Sequence, residues 1–188
     1  MSAVSKPTTN RTKTYTYADY LTWSGPERWE VIDGVPYLMA SPTPEHQQIL
    51  GELFFHLRQY LHGRLCTPYM APLDLTFESN ELTTTVVQPD LFVMCGDYGH
   101  DQRILGVPIL VIEIISPSTA TNDTIRKLNL YQRVGVQEYW IVEPEAKILN
   151  VYLHDGSILR WTTEYHPGDT LSPSMFPELT IPMGTLFV

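Results

Sequence analysis

The chain has 188 residues, of which 43% are hydrophobic and 18% charged, a balance typical of a globular protein that buries its own core. Its formal net charge of −9 argues against broad, nonspecific affinity for DNA, because that affinity comes from lysine and arginine side chains that neutralise phosphates. The N-terminus carries no apolar signal core, and the most apolar run, residues 107–115, is too short to span a bilayer, so no membrane association is expected.

The sequence contains two cysteines, Cys66 and Cys95, which lie far apart and match no metal-binding spacing. This pattern indicates neither a disulfide framework nor a structural zinc site. We therefore expect reduced cysteines and a cytoplasmic protein.

The first predicted elements follow a polar segment, residues 1–13, that reads as a flexible tail. Residues 14–188 are expected to form a single domain, because no linker composition or internal repeat divides them. Residues 16–23 favour a short helix, and residues 28–39 favour a β-hairpin that turns at Asp33-Gly34.

A long helix is predicted over residues 44–62, with Thr43 as its N-cap and Pro44 in its first turn. His46 lies on the inward side of this helix near its start. The apolar residues recur at helical spacing and form one face, which consists of Leu50, Leu53, Phe54, Leu57 and Leu61.

The middle and end of the chain alternate between strand and helix patterns. Residues 108–115 are continuously apolar apart from Glu113, as is typical of a central strand covered on both faces. This order predicts an α/β or α+β fold with a mixed sheet. The other predicted elements are strands over residues 69–78, 86–95 and 138–143, a helix over residues 122–134, a hairpin over residues 147–164 and a last short strand.

Glu113 is the most informative residue, because all its neighbours in the strand are apolar. An ionised carboxylate in such surroundings costs several kcal/mol unless it is paired or bound to a metal. Two interpretations stay open for Glu113 taken alone. It either holds a metal ion, or it reaches solvent or a lysine at the end of its strand.

Asp90 places a second acid in another apolar strand, beside Pro89. The glycine-rich connection over residues 96–106 allows the strands of Asp90 and Glu113 to lie side by side. Two carboxylates at one end of a sheet repel each other, and a divalent cation relieves that repulsion. Mg²⁺ suits one or two carboxylates together with water and a phosphate oxygen.

Lys127 shares one face of the second predicted helix with Tyr131 and Val134, at the edge of the packed side. A lysine ammonium at that edge is able to reach a catalytic site on the neighbouring strand. Judged on Lys127 alone, an ordinary surface pair with Asp123, four residues earlier, is the favoured interpretation.

Several segments together resemble the Uma-two family, a family of proposed restriction endonucleases that has long been treated as a domain of unknown function. The resemblance covers roughly residues 15–187, and its segments are specific in combination. They are Pro89-Asp90, residues 111–119, the trio Asp123, Lys127 and Tyr131, residues 135–144, residues 29–34, and the helix start Pro44-Glu45-His46.

This resemblance implies a restriction-endonuclease-like PD-(D/E)XK fold: a mixed central β-sheet flanked by helices, here with extra N- and C-terminal β-hairpins. It also implies that Asp90 and Glu113 bind Mg²⁺ or Mn²⁺. The superfamily has a lysine two residues beyond the glutamate, and this chain has Ile115 at that position. The family is expected to supply the lysine from the following helix, as Lys127.

Two further residues complete the candidate catalytic set of Asp90, Glu113, Lys127, His46 and Glu30. His46 alone is more often a satisfied core histidine, and the family pattern makes it a candidate site residue. Glu30 alone reads as an exposed strand acid, but the superfamily often draws an extra carboxylate from its N-terminal region.

The predicted function is metal-dependent hydrolysis of phosphodiester bonds in a nucleic acid, with DNA favoured over RNA and a homodimer expected. An alternative is a catalytically silent binding or regulatory protein that keeps the nuclease fold, which the net charge of −9 and Ile115 favour. A third interpretation is a hydrolase that uses paired carboxylates without metal, as glycosidases do.

Overall fold

The protein is seen in a computed structural model that describes Pro7 and residues 13–100, 102–115 and 120–187. The predicted tail over residues 1–13 falls largely outside the described residues. The elements, in chain order, are α1 (Tyr17–Tyr20), β1 (Trp29–Ile32), β2 (Val35–Leu38), α2 (Pro44–Leu61), β3 (Cys66–Met70), β4 (Leu75–Thr76), β5 (Leu91–Cys95), β6 (Gly99–His100), β7 (Ile104–Leu105), β8 (Leu110–Ile114), α3 (Ala120–Val134), β9 (Glu138–Glu143), β10 (Ile148–His154), β11 (Leu159–Tyr165), β12 (Thr170–Leu171) and β13 (Ile181–Pro182).

The chain divides into two compact units that exchange segments along the sequence. Unit 1 takes the described residues of Met1–Ser41 together with Leu73–Gln88 and Gly99–Gly106. Unit 2 takes Pro42–Pro72, Pro89–Tyr98 and Val107–Val188. The expected single-domain organisation of residues 14–188 stays a prediction.

Unit 1 is built on the predicted N-terminal hairpin. Strands β1 and β2 pair antiparallel around Asp33 and Gly34, which both adopt positive φ angles, of 51° and 78°. That backbone is the one an Asp-Gly hairpin turn requires. Val31 bridges to Val86, and a small core of Tyr15, Tyr17, Val31 and Val86 forms beside the hairpin.

Unit 2 contains a six-stranded sheet in the order β11-β10-β9-β8-β5-β3. Strands β8 and β9 are parallel and the other neighbours antiparallel, so the sheet is mixed. Helix α2 packs against β3 and β8, and α3 packs against β9. The predicted mixed sheet with flanking helices and added hairpins is therefore confirmed.

Helix α2 runs from Pro44 to Leu61, as its local signals predict. The Thr43 hydroxyl accepts a hydrogen bond from the backbone N–H of His46 at 3.1 Å, which caps the first turn. Its apolar face enters the main core with Leu110, Ile112 and Ile114 of β8. Because side chains alternate along a strand, Glu113 faces away from that core layer.

Two strand boundaries differ from the prediction. Residues 69–78 do not form one strand: β3 ends at Met70 and β4 begins at Leu75, with Pro72 between them. Proline lacks the N–H that a continuous ladder needs. Strand β5 begins at Leu91 instead of residue 86, and Val86 and Val87 instead form isolated bridges within unit 1.

The cysteine prediction is wrong. Cys66 and Cys95 face each other on the antiparallel strands β3 and β5 and form a disulfide. The pairing depends on strand register, and spacing in the sequence does not reveal it. The argument for a reducing cytoplasmic setting therefore loses its basis. Across the described part of the chain, no helix is both long and apolar enough to cross a membrane.

Candidate active site

The two candidate metal-binding acids come from neighbouring strands of unit 2. Leu91 of β5 pairs with Ile112 of β8 in an antiparallel register. Extended by one residue, this register sets Asp90 opposite Glu113, and directly opposed residues lie on the same face of a sheet. Pro89 and Asp90 stand just before β5, and the Asp90 carbonyl accepts a hydrogen bond from the backbone N–H of Ala71 at 3.1 Å.

The Asp90 carboxylate is fixed from two sides. Its Oδ2 accepts a hydrogen bond from the backbone N–H of Ile114 at 2.8 Å. The same oxygen lies 3.2 Å from Nε2 of His46 at the start of α2. Both side chains are largely buried, with 16% of Asp90 and 13% of His46 exposed. Among the described residues, the buried Nδ1 of His46 has no hydrogen-bond partner.

The Glu113 carboxylate is buried and is held by α3. Lys127 Nζ lies 3.0 Å from both carboxylate oxygens, and the Tyr131 hydroxyl donates to Oε1 at 2.7 Å. Glu113 is 6% exposed, Lys127 4% and Tyr131 0%. A buried carboxylate is tolerated only with such partners, because its desolvation otherwise costs several kcal/mol.

The alternative of an ordinary surface position for Lys127 is wrong, because the side chain is buried against Glu113. The side chain of Asp123 lies outside the described residues. Lys127 and Tyr131 are four residues apart on α3, so both reach the same strand from one helix face. The predicted set of catalytic residues did not include Tyr131, although its i, i+4 spacing from Lys127 indicated that it shares the same helix face.

The predicted site residues thus form two groups in unit 2, His46 with Asp90 and Glu113 with Lys127. Glu30 belongs to unit 1. It is 3% exposed, and its Oε1 accepts a hydrogen bond from the backbone N–H of Gln88 at 2.8 Å. The reading of Glu30 as an exposed strand acid is wrong, since the side chain is buried and bound to the backbone.

A third buried acid, Glu138 on β9, has a structural position. Its carboxylate accepts hydrogen bonds from the Trp140 indole at 2.8 Å and from the backbone N–H of Met175 at 3.0 Å. Burial raises its pKa, and these hydrogen bonds offset part of the increase. Glu138 therefore ties the C-terminal segment to the sheet.

The donor set fits a hard divalent cation. In the ranges that the structure describes, no three His, Cys, Asp or Glu side chains gather closely enough to hold a metal by themselves. Mg²⁺ does not need such a cage, because it binds through one or two carboxylates and keeps several waters. Glu113 accepts hydrogen bonds at both carboxylate oxygens, and each ionised carboxylate has about four lone-pair sites, so a cation would share these oxygens with Lys127 or displace it.

The fold and the carboxylate–lysine arrangement define a protein of the restriction-endonuclease-like class. A crystal structure described as a putative nuclease belonging to DUF820, from Anabaena variabilis, matches with a TM-score of 0.74 and 20% identity. The match covers 92% of this chain and 97% of that one. At this identity the similarity shows the shared fold.

Residues 17–184 match the family model Uma2, described as "Putative restriction endonuclease". The chain belongs to this family, as the resemblance predicted. A curated relative, the uncharacterized protein slr1290 of Synechocystis, is 27% identical over 138 residues, which is 71% of each chain.

Proposed function

We propose that the protein is a metal-dependent endonuclease that hydrolyses phosphodiester bonds in DNA. One observation carries the proposal: a buried lysine, Lys127, is bonded to the buried acid Glu113 on the strand beside Asp90. A buried ion pair is costly compared with apolar packing, so stability alone is a weak reason for it. Membership of a family described as restriction endonucleases supports the same reading.

Asp90 and Glu113 are the residues that would hold Mg²⁺ or Mn²⁺. Bound there, such an ion supplies Lewis-acid polarisation of a phosphoryl oxygen and a lowered pKa for a bound water. The Ile114 N–H and His46 keep the Asp90 carboxylate in place. Tyr131 does the same for Glu113, through the 2.7 Å bond to Oε1.

Lys127 and His46 have separate proposed roles. When Lys127 leaves one Glu113 oxygen, its ammonium orients the attacking water or offsets the negative charge that develops on the phosphate. His46 binds phosphate or transfers a proton, since its Nδ1 lacks a partner among the described residues. Glu30 is proposed only as a support for the backbone at Gln88.

The proposal is tested by incubating the purified protein with supercoiled plasmid, single-stranded DNA and RNA, in Mg²⁺, Mn²⁺ or EDTA. We expect metal-dependent cleavage of DNA that falls at least 100-fold in Asp90→Asn and Glu113→Gln, as when a main catalytic interaction is removed. Glu145→Gln, an exposed acid, is the matched control and should cleave normally. Full activity in Asp90→Asn would refute the assignment, and activity in EDTA would favour metal-free hydrolysis.

The second candidate is a binding or regulatory protein without catalysis. Glu113 already accepts from Lys127 and Tyr131, and Ile115 replaces the superfamily lysine, which favours this candidate. Calorimetric titration separates the two functions. Mg²⁺ or Mn²⁺ binding that disappears in Asp90→Asn supports the endonuclease, whereas its absence in the wild-type protein supports the silent fold.

A homodimer is proposed on the C-terminal hairpin. Strand β11 forms one edge of the main sheet, and five successive residues of it, from Arg160 to Glu164, are exposed. An unpaired edge strand is a ready template for pairing with another chain. Light scattering at micromolar concentration should give the mass of two chains, and a monomer mass would reject this arrangement.

A further inference from the structure

Unit 1 contains a pocket of about 260 Å³ that the proposed hydrolysis does not use. Its volume lies just below the range of about 300–1,000 Å³ found for drug-sized ligands, so it has room for one ring system. The side chains that carry its chemistry are Tyr20, Trp23, Glu27, Arg28, Trp29 and Gln88.

The aromatic part of the pocket is a preformed cluster. The rings of Trp23 and Trp29 lie 6.1 Å apart at an interplanar angle of 72°, and Tyr20 contacts Trp23 at 5.5 Å. Both tryptophans are only half-buried, so part of each ring is open to the pocket. Such edge-to-face packing, which Trp23 also makes with Tyr15 at 5.3 Å, fixes ring orientation, and the exposed part of each tryptophan is able to contact a further flat group.

The polar part is held by a hydrogen-bond network. Gln88 Oε1 accepts from Arg28 Nε at 3.1 Å and from Arg28 Nη2 at 2.7 Å. Gln88 Nε2 in turn donates to the Tyr20 hydroxyl and to Asp74. The Arg28 guanidinium is therefore oriented by a neutral amide, and its plane is fixed before any ligand arrives.

Three side-chain donor groups belong to residues that line this pocket. Within the part of the chain that the structure describes, Arg28 forms no ion pair and its Nη1 donates to no acceptor. Over the same residues, neither the Trp23 nor the Trp29 indole N–H has a hydrogen-bond partner. Unused donors beside open aromatic faces favour a flat ligand with acceptor atoms at its edge.

We propose that this pocket binds a single unpaired nucleobase of a single-stranded nucleic acid. The base stacks on Trp23 or Trp29, and the free N–H groups of Arg28 donate to its carbonyl or ring-nitrogen acceptors. The Glu27 carboxylate in the lining disfavours a bare phosphate, because like charges repel. The choice of a nucleobase rests on the proposed nuclease function.

The test measures binding of a fluorescently labelled, short single-stranded oligonucleotide by anisotropy, in EDTA so that no hydrolysis occurs. Trp23→Leu and Trp29→Leu should each raise the Kd roughly tenfold, because stacking of one base on an aromatic ring contributes about 1–3 kcal/mol. Arg28→Lys keeps the charge but loses the planar donor fork, and should also weaken binding. Phe55→Leu, which replaces an exposed aromatic side chain of α2, is the matched control and should bind as wild type.

A second measurement uses the unaltered protein, in case a tryptophan variant does not fold. An oligonucleotide with 5-iodouracil, irradiated in complex with wild-type protein, should crosslink to the peptide that contains Trp23 and Trp29. Crosslinks only elsewhere, or an unchanged Kd in folded Trp23→Leu and Trp29→Leu, would overturn the inference. The two proposals fail separately. Asp90→Asn should abolish cleavage and leave oligonucleotide binding by the pocket unchanged. If the protein with both tryptophans replaced still binds and cleaves DNA as wild type does, the pocket proposal is refuted and the nuclease proposal stands.

Discussion

At the residue scale, the contact between Lys127 and Glu113 bears on the stability of the fold and on the chemistry proposed above. Lys127→Met removes the cation and leaves a buried carboxylate that still accepts the hydrogen bond from Tyr131. We expect the free energy of unfolding to fall by roughly 3–5 kcal/mol, the usual effect of breaking one side of a buried pair. Urea denaturation of the metal-free protein measures this loss.

The double variant Glu113→Gln with Lys127→Met is the control for that prediction. Because it removes both charges together, most of the lost stability should return. If Lys127→Met alone unfolds at the wild-type urea concentration, the ion pair contributes nothing and Lys127 is held by other contacts. Recovery in the double variant would also permit metal titrations on a folded protein without the pair.

Glu138 gives a pH prediction at the same scale. Burial raises its pKa in the folded protein above the ordinary value, so the fold favours the protonated acid. The stability that protonation contributes is present below the unfolded pKa and is lost as pH rises through the folded pKa. Glu138→Gln cannot ionise, so we expect wild type to lose stability relative to this variant over the pH range above about 4.3, the ordinary pKa of a glutamic acid.

Chemical denaturation of both proteins across that pH range checks the Glu138 prediction. Other groups titrate equally in wild type and variant, so only the difference between their free energies of unfolding is interpreted. A difference that stays constant with pH would mean that the hydrogen bonds from Trp140 and Met175 fully offset the burial of the charge.

At the element scale, we expect Gly→Ala to have opposite effects on the free energy of unfolding at two positions. Gly34 has φ of +78° in the β1–β2 turn, and a Cβ atom there would collide with Thr14 Cγ2. Gly51 lies in α2, where none of the residues that the structure describes has an atom within 4 Å of an added Cβ. Gly34→Ala should lower the free energy of unfolding by more than about 1 kcal/mol, whereas Gly51→Ala should raise it by up to about 1 kcal/mol.

Thermal denaturation of the two variants provides the comparison, with the wild type measured beside them. Loss of stability in Gly51→Ala would show that the helix needs this glycine for close packing. An unchanged melting temperature in Gly34→Ala would show that the turn relaxes without cost.

Elements whose signals lie within their own residues could be predicted from the sequence, whereas elements that depend on distant contacts could not. Helix α2 carries its own cap at Thr43 and its own apolar face, so its bounds could be predicted locally. The Asp33-Gly34 turn is equally local. The break at Pro72 between β3 and β4 was not predicted, because alternation of apolar and polar residues does not reveal where a strand loses its backbone hydrogen bonds.

The site was predictable where an anomaly stood out in the sequence. Glu113 is an acid within an apolar strand, and Pro89-Asp90 interrupts another. The contacts of Lys127 and Tyr131 with Glu113 needed the packing of α3 on the sheet, which spacing along the helix only suggests. The buried bond of Glu30 to the Gln88 backbone gave no sequence signal, since a strand acid is ordinarily exposed.

At the scale of the whole molecule, the Cys66–Cys95 disulfide closes a loop with a sequence separation of 29. That loop includes Leu73–Gln88, a segment of unit 1 that interrupts unit 2 along the chain. Closing a loop of this length restricts the unfolded chain and stabilises the fold by roughly 3–4 kcal/mol in the chain-entropy model. The hydrogen bonds and ion pairs that hold Asp90 and Glu113 come from Ile114, His46, Lys127 and Tyr131 and involve neither cysteine.

We therefore expect reduction with a phosphine to lower the free energy of unfolding by roughly 3 kcal/mol. The double variant Cys66→Ala with Cys95→Ala should show the same loss and should no longer respond to the reductant. Asp90 precedes β5 whereas Cys95 ends it, so the metal binding proposed for Asp90 and Glu113 should be the same in the oxidised and in the folded, reduced protein. Equal stability with and without reductant, together with two free thiols in the native protein, would show that the cysteines remain reduced and that the β3–β5 pairing holds without a covalent link.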